Sequence, residues 1–334
     1  MKRVLVTGGA GFIGSNFVRH ILRKRDDCEI IVLDALTYAG HLENLEDVKD
    51  DPRFRFVKGD IRTADDVAGP VAEADIVINF AAESHVDRSI YDPEAFITTD
   101  VMGVYTLMEA ARKHGVEKFI QISTDEVYGD VEEGFSKETD PVSPNSPYSA
   151  TKTGGELLAR AYWRTYGVPV VITRGSNTYG AYQQPEKLVP LFVSNAIDDK
   201  PLPVYGDGMQ IRDWLHVLDH CTGVETVMDF GEPGEIYNIG GDNQRPNIEI
   251  IKTILEVTGK DSSLIKHVED RPGHDRRYAL DSGKLLSMGW PRAHDFETGM
   301  RETIRWYMDN ESWWRGIKEG AGHKQFSEQW YANR

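Results

Sequence analysis

Cysteine is almost missing from this chain: Cys28 and Cys221 are the only two, far apart and without a C-x-x-C partner. That leaves no disulfide framework and no thiolate metal knuckle, and reads as two isolated reduced thiols with any disulfide unsupported. Long apolar runs are missing too, none approaching the ~20 residues that span a bilayer. Met1-Lys2-Arg3 leads straight into a strand pattern, with neither a secretory apolar region nor a cleavage site. Basic charge is in deficit, 38 Lys and Arg against 54 Asp and Glu, for a net charge of -16. Nonspecific nucleic-acid binding draws on basic patches and is argued against. A local Arg cluster around an anionic small ligand is not. Internal repeats and low-complexity segments are also absent. What remains fits a soluble cytoplasmic protein of about two domains, taking ~150 residues for each, with neither nucleic acid nor membrane as partner.

What is present alternates. Val4 to Thr7 reads as a buried strand, Ser15 to Arg25 as an amphipathic helix, and Ile30 to Leu33 as a second strand ending in Asp34. Further strands are predicted at Phe54–Val57, Ile76–Phe80, Phe119–Ser123 and Val170–Thr173, with helical patterns at Asp100–His114 and Thr151–Tyr166. Strand–helix alternation implies a Rossmann-like, doubly wound parallel α/β sheet with ligands at the carboxyl ends of its strands. Past Tyr179 the alternation weakens and Pro185, Pro190, Pro201 and Pro203 punctuate the chain. Glu235–Ile239 reads as one more strand, so a smaller, interleaved C-terminal substrate-binding domain is expected. The expected division is 1–176 plus about 212–250 for the sheet domain, and 177–211 plus 251–334 for the smaller one.

Between the first strand and helix lies G-x-x-G-x-x-G: Gly8, Gly11 and Gly14. Glycines there allow a tight turn and bring backbone N–H groups at a helix N-terminus against a pyrophosphate. Asp34, about 20 residues later at the end of the next strand, suits a carboxylate accepting from ribose hydroxyls. It would repel a 2′-phosphate, which favours NAD over NADP. Tyr148 and Lys152 stand four apart and share a helical face. An ammonium and a cationic nicotinamide ring would lower the tyrosine's pKa from its ordinary ~10. Thr124-Asp125-Glu126, a hydroxyl and two adjacent carboxylates ending a buried strand, suit proton traffic better than packing.

The glycine loop with Tyr-x-x-x-Lys resembles the extended short-chain dehydrogenase/reductase superfamily. Thr124-Asp125-Glu126-Val127-Tyr128-Gly129, Ala81 to Ser89, Pro185 to Leu188, Gln210 to Trp214 and Asp270 to Asp275 narrow the resemblance to the dTDP-glucose 4,6-dehydratases. Sugar-nucleotide epimerases of the superfamily carry small or hydroxyl residues where Asp125 and Glu126 stand. Thr178, in Ser176 to Gly180, departs from the family's usual Asn on the cofactor side. The stretch after Trp314, 315–334, is longer than the family leads one to expect, and no role is assigned to it.

The resemblance implies a lyase that converts dTDP-glucose to its 4-keto-6-deoxy product. Tyr148 takes the 4-hydroxyl proton, assisted by Thr124 and Lys152, Glu126 removes the C5 proton, and Asp125 protonates the departing 6-hydroxyl. It implies NAD contacts from Gly8, Gly11, Phe12, Ile13, Gly14, Asp34 and Thr37, and from Asp60, Ile61, Phe80, Ala81, Ala82, Ser84, Thr99, Tyr148, Lys152 and Thr178. For the sugar nucleotide it implies Arg212 and Arg271 on the diphosphate, with Asn177 and Asn247 as further polar contacts. Pro203 and Tyr205 would flank the base, and Ser84, Lys187 and Leu188 the sugar and ribose. Thr124, His274 and Tyr278 complete the substrate set. No metal is expected, and His274, in a Pro-Gly turn, is given a hydrogen-bonding role. Trp306, Trp313 and Trp314 are expected to pack a C-terminal helix, and the two helices around Leu107 and Leu158 to pair across a homodimer. A 4-epimerase and a silent NAD-sensing regulator are the alternatives, the second opposed by the presence of both Tyr148 and Lys152.

Overall fold

Val4, Leu5 and Val6 are all fully buried, as a strand covered on both faces requires, and their side chains alternate between the two faces of the sheet. The computed structural model describes residues 1–320 together with His323, Lys324, Phe326 and Trp330. Of the expected 251–334 segment, positions 321, 322, 325, 327–329 and 331–334 lie outside the described residues.

In chain order the strands are β1 (Lys2–Thr7), β2 (Cys28–Asp34), β3 (Phe54–Lys58), β4 (Ile76–Asn79), β5 (Lys118–Thr124) and β6 (Val170–Gly175). They continue as β7 (Asn177–Tyr179), β8 (Leu202–Tyr205), β9 (Ile211–His216), β10 (Ile236–Ile239), β11 (Gln244–Pro246) and β12 (Ile265–Val268). Seven form one sheet in the order β10-β6-β5-β4-β1-β2-β3, every neighbouring pair parallel. The expected Rossmann-like architecture is therefore the one observed. The order reverses between β1 and β4, which opens a crevice at the carboxyl ends of the strands. Helices Phe12–Lys24 and Val217–Phe230 cover one face, and helices Ala64–Glu73, Val104–His114 and Pro147–Tyr166 cover the other. Among the described residues no helix is long and apolar enough to cross a membrane.

The helix expected at 151–166 begins earlier, at Pro147. Ser146 accepts from the Ser149 backbone at 3.1 Å while the Ser149 hydroxyl accepts from Ser146 N at 3.0 Å, a reciprocal cap that satisfies two otherwise orphaned donors. The helix expected at 100–114 differs more. Its first part, Ile97–Gly103, is a π-helical segment, and the regular helix runs only over Val104–His114. Such widened turns often serve sites. This one carries Asp100 to the Pro147–Tyr166 helix, where Gly155 lets the Asp100 carbonyl approach the helix backbone.

A second core lies beyond the sheet, built from Tyr179, Val189, Phe192, Ile250, Ile254, Met300, Ile304 and Tyr307. It is bordered by the three-stranded sheet β11-β9-β7 and the parallel pair β12-β8. Trp314 is buried in this core and Trp306 and Trp313 pack against it.

The start of the Pro147–Tyr166 helix carries two candidate site residues, so its cap is worth testing. Ser146→Ala should lower unfolding free energy by about 1 kcal/mol, read as a lower urea midpoint at unchanged slope. An unmoved midpoint would show that the cap does not hold the helix start.

Candidate active site

Immediately after β1 the chain turns at Gly8 with φ of +68°, and a Cβ there would lie 2.5 Å from the Ala81 nitrogen beyond β4. A Cβ on Gly14 would strike the Gly8 carbonyl. The glycines thus let the turn fold flat onto the start of helix Phe12–Lys24, whose first N–H groups have no intrahelical partner. Asp34, buried at the end of β2, accepts from Ala10 N at 2.9 Å and Leu36 N at 2.8 Å, and burial raises its pKa. All seventeen positions expected to contact the cofactor line one cleft along the carboxyl ends of the strands.

His220 lines that cleft too and carries no signal in the sequence. Its Nδ1 lies 2.8 Å from the Thr178 hydroxyl, which also donates to the Ser176 carbonyl at 3.0 Å. Burial lowers the His220 pKa to about 4, so the ring is neutral near pH 7. Thr178, the residue that departs from the family pattern, is thereby engaged within the protein.

Thr124, Asp125, Glu126, Tyr148 and Lys152 meet at the inner end of this cleft. Thr124 ends β5 and caps a short 3-10 turn, its hydroxyl accepting from Glu126 N at 3.3 Å and donating to Asp125 Oδ1 at 3.2 Å. The two carboxylates stand in different fields. Asp125 is raised well above the usual range by burial, Glu126 and Asp213, and its Oδ2 has no partner among the described residues. Glu126 is raised by burial, but Arg271, Arg212 and Lys187 oppose the rise. Both carboxyls are thus raised by burial, Asp125 further by its acidic neighbours, while three cations oppose the rise at Glu126 and only Arg212 among them acts on Asp125.

At Tyr148 the protein's own groups do not supply the lowering expected from Lys152 together with a cationic nicotinamide ring. Burial, Glu126 and Asp100 push its hydroxyl well above the ordinary value, against a smaller lowering by a hydrogen bond from Thr124. The Lys152 ammonium, expected to lower it, instead donates to the Ile122 carbonyl at 2.8 Å. Beneath that lysine lies Asp100, missed in the sequence. It accepts from Glu83 N at 2.9 Å and Thr151 Oγ1 at 3.0 Å, and burial raises it to about 7 against the pull of Lys152.

A second cavity adjoins the cleft, and Glu126, Asn177 and Lys187 line both. Leu188, Pro203, Tyr205, Arg212, Asn247, Arg271 and His274 line this second cavity, as expected of the substrate set. Ser84 and Thr124 face the first. Tyr278 faces neither. It is buried, donates to Asp275 Oδ2 at 2.6 Å, and lies under the Arg212 guanidinium at 4.4 Å, so it supports an arginine rather than lining the site. Arg271 is not simply open to the cavity, for it pairs with Asp87 at 3.3 Å. Its Nε, with Asn177 Oδ1 and Asn247 Oδ1, is buried without a partner among the described residues. Buried polar atoms cost free energy unless bonded, so these mark where a polar ligand fits. His274 Nδ1 donates to Asp270 Oδ1 at 2.6 Å. Among the described residues no group of three His, Cys, Asp or Glu is arranged to hold a metal.

Known proteins carry the same layout. Residues 5–303 match the GDP-mannose 4,6 dehydratase family. A dTDP-glucose 4,6-dehydratase of Streptomyces antibioticus is 50% identical over 322 residues, 95% of this chain and 95% of that protein. The crystal structure of DesIV, a dTDP-glucose 4,6-dehydratase from Streptomyces venezuelae with NAD and TYD bound, superposes with a TM-score of 0.92 at 50% identity, covering 95% of this chain and 100% of that one. A UDP-glucuronic acid 4-epimerase from Bacillus cereus, with UDP-glucuronic acid and NAD, reaches a TM-score of 0.87 at 28% identity, covering 92% and 99%. With about half its residues identical to such dehydratases over nearly the whole length, the chain belongs to the dTDP-glucose 4,6-dehydratase family.

Proposed function

We propose that this protein converts dTDP-glucose to dTDP-4-keto-6-deoxyglucose and water, with NAD as its resident cofactor. The observation that carries the reading is the adjacent carboxyl pair at the end of β5 beside Tyr148, Asp125 raised by burial and acidic neighbours and Glu126 faced by Arg271, Arg212 and Lys187. NAD fits the first cleft: the glycine turn leaves room for a pyrophosphate at a helix N-terminus, and Asp34 sits where ribose hydroxyls need an acceptor. Gly8, Gly11, Gly14 and Asp34 would hold its adenosine half, and Tyr148, Lys152 and Thr178 its nicotinamide half. When bound, NAD supplies hydride acceptance at the sugar C4 and hydride return at C6.

The chain's own residues move the protons. Tyr148 takes the proton of the 4-hydroxyl, with Thr124 bonded to the same oxygen. Oxidation at C4 acidifies C5–H, and Glu126 removes that proton as the base. Asp125, kept protonated by burial and by its acidic neighbours, delivers a proton to the 6-hydroxyl as it leaves as water. Arg212 and Arg271 bind the diphosphate through charge-assisted contacts, and Pro203 and Tyr205 flank the base.

The reading divides the chain into an NAD-binding part, 1–176 with about 212–250, and a sugar-nucleotide part, 177–211 with 251–334. The second core, drawn mostly from the latter segments, supports that division. It also pairs two chains. Met102, Tyr105, Leu157 and Tyr166 are large apolar side chains left 43–53% exposed on the helices around 97–114 and 147–166, which suits a helical homodimer interface. The cytoplasm is the proposed location, supported by two buried free cysteines.

Three measurements test this. Offered dTDP-, UDP-, GDP- and CDP-glucose carrying deuterium at C4, the enzyme should release a 4-keto-6-deoxy product from the dTDP sugar with deuterium at C6. A product that keeps its 6-hydroxyl would make it an epimerase. Glu126→Gln should retain NAD and oxidise C4 while overall kcat falls by about 10²–10⁴-fold, the usual worth of a general base. Full turnover would remove Glu126 from that role. Light scattering at working concentration should give twice the chain mass, and a monomer would overturn the dimer.

A further inference from the structure

The stretch beyond Trp314 had no role in the sequence, yet its described side chains reach the wall of the second cavity. Trp330 Nε1 donates to the Tyr205 hydroxyl at 2.7 Å, and that hydroxyl donates to Asp87 Oδ2 at 2.7 Å. The other oxygen of Asp87 pairs with Arg271 at 3.3 Å. The result is a run of hydrogen bonds from the C-terminal segment through the proposed base-flanking tyrosine to the proposed diphosphate arginine. Each member polarises the next in such a run.

A second set of contacts lies beside it. Phe326 meets the His85 ring edge-on at 5.3 Å and stacks along Trp330 at 6.1 Å. The Arg88 guanidinium lies 4.3 Å from the Phe326 ring and 4.1 Å from the Tyr38 ring, and grips Glu186 with two bonds of 2.6 and 2.7 Å. His323 Nδ1 stands 3.3 Å from the same carboxylate. His85 and Glu186 line the second cavity, as do Tyr205, Asp87 and Arg271, whereas Phe326 and Trp330 do not. The segment therefore touches the residues that form the wall and not the cavity itself.

We propose that Trp330 and Phe326 are positioning residues for the sugar nucleotide, Trp330 orienting Tyr205 and Arg271, and Phe326 holding the Arg88–Glu186–His85 wall. The proposal rests on reading the second cavity as the dTDP site. Contacts with the nucleotide are made equally in the ground and transition states, so their loss raises KM and leaves kcat alone. They lie away from the cleft proposed for NAD, so cofactor content should not change.

The test compares wild type, Trp330→Phe, Phe326→Ala and Phe326→Tyr, with KM, kcat, bound NAD and calorimetric binding of dTDP. Trp330→Phe keeps an aromatic ring but loses the N–H with the five-membered part of the indole, and should raise KM for dTDP-glucose and Kd for dTDP by about three- to tenfold, the scale of one hydrogen bond. Phe326→Ala should do the same and Phe326→Tyr should restore wild-type values, with kcat and NAD content unchanged throughout. Unchanged KM and Kd in both Trp330→Phe and Phe326→Ala would overturn the proposal, as would a fall in kcat with loss of NAD, which marks general structural support. Wild-type failure to turn over dTDP-glucose would instead overturn the reading of the site itself.

Discussion

Asp125 and Glu126 are consecutive residues held inside one protein site, and two neighbouring carboxylates there cannot both be charged without nearby cations. Much of the remaining architecture follows from that constraint. The sheet delivers the pair at the end of β5 but has no cation to offer Glu126. Arg212 comes from β9, Lys187 from the start of helix Leu188–Ile197 and Arg271 from the loop after β12. All three belong to the chain beyond the sheet's first six strands. That region also sends Asp213, one residue from Arg212 and pointing the other way along β9, which helps to keep Asp125 neutral. Two consecutive residues of β9 therefore bear on the pair, Arg212 on both acids and Asp213 on Asp125.

The same economy appears on the cofactor side. Thr7 and Asn79, which end β1 and β4, bond in a row with Gln121 in the middle of β5, at 2.6 and 2.9 Å, which satisfies buried polar groups and fixes the three strands relative to one another. The strand ends in turn fix the floor of the cleft. Asp100 ties the π-helical segment to Thr151, one residue from Lys152, so the lysine is set by a buried carboxyl on a different helix.

Much of this was legible in the sequence where the signal was local. The glycine turn, Asp34 and Tyr148/Lys152 are each written in a few residues whose spacing has a direct geometric meaning. The sheet strands emerged from apolar runs for the same reason. Asp87, Asp100, Glu186 and His220 were not legible, because each acquires its place through a partner far away in the chain, such as Asp87 with Arg271 or Glu186 with Arg88. Tyr148 shows the other kind of miss. Its partner was identified, but its titration is dominated by burial and by Glu126, neither of which can be read from an i, i+4 pair. The helix expected at 100–114 is present, but its first turns are π-helical, a widening that apolar composition does not reveal.

The similarity to a 4-epimerase, at a TM-score of 0.87 but only 28% identity, shows how little of the chemical outcome the scaffold decides. The epimerase structure holds NAD, as the cleft here is proposed to do, so the scaffold alone offers a place for oxidation at C4. What happens next depends on whether the ketone meets an acid and a base across C5 and C6. A base alone at C5 would exchange its proton without expelling the 6-hydroxyl, and an acid alone would have no carbanion to complete the elimination. Both must be present, adjacent and in opposite protonation states before hydride returns. On the proposed mechanism Asp125 and Glu126 fill those two roles, Asp125 raised by burial and by acidic neighbours and Glu126 with its rise opposed by Arg271, Arg212 and Lys187. Under that mechanism dehydration depends on the electrostatics at the end of a single strand, laid over a scaffold that by itself would serve either reaction.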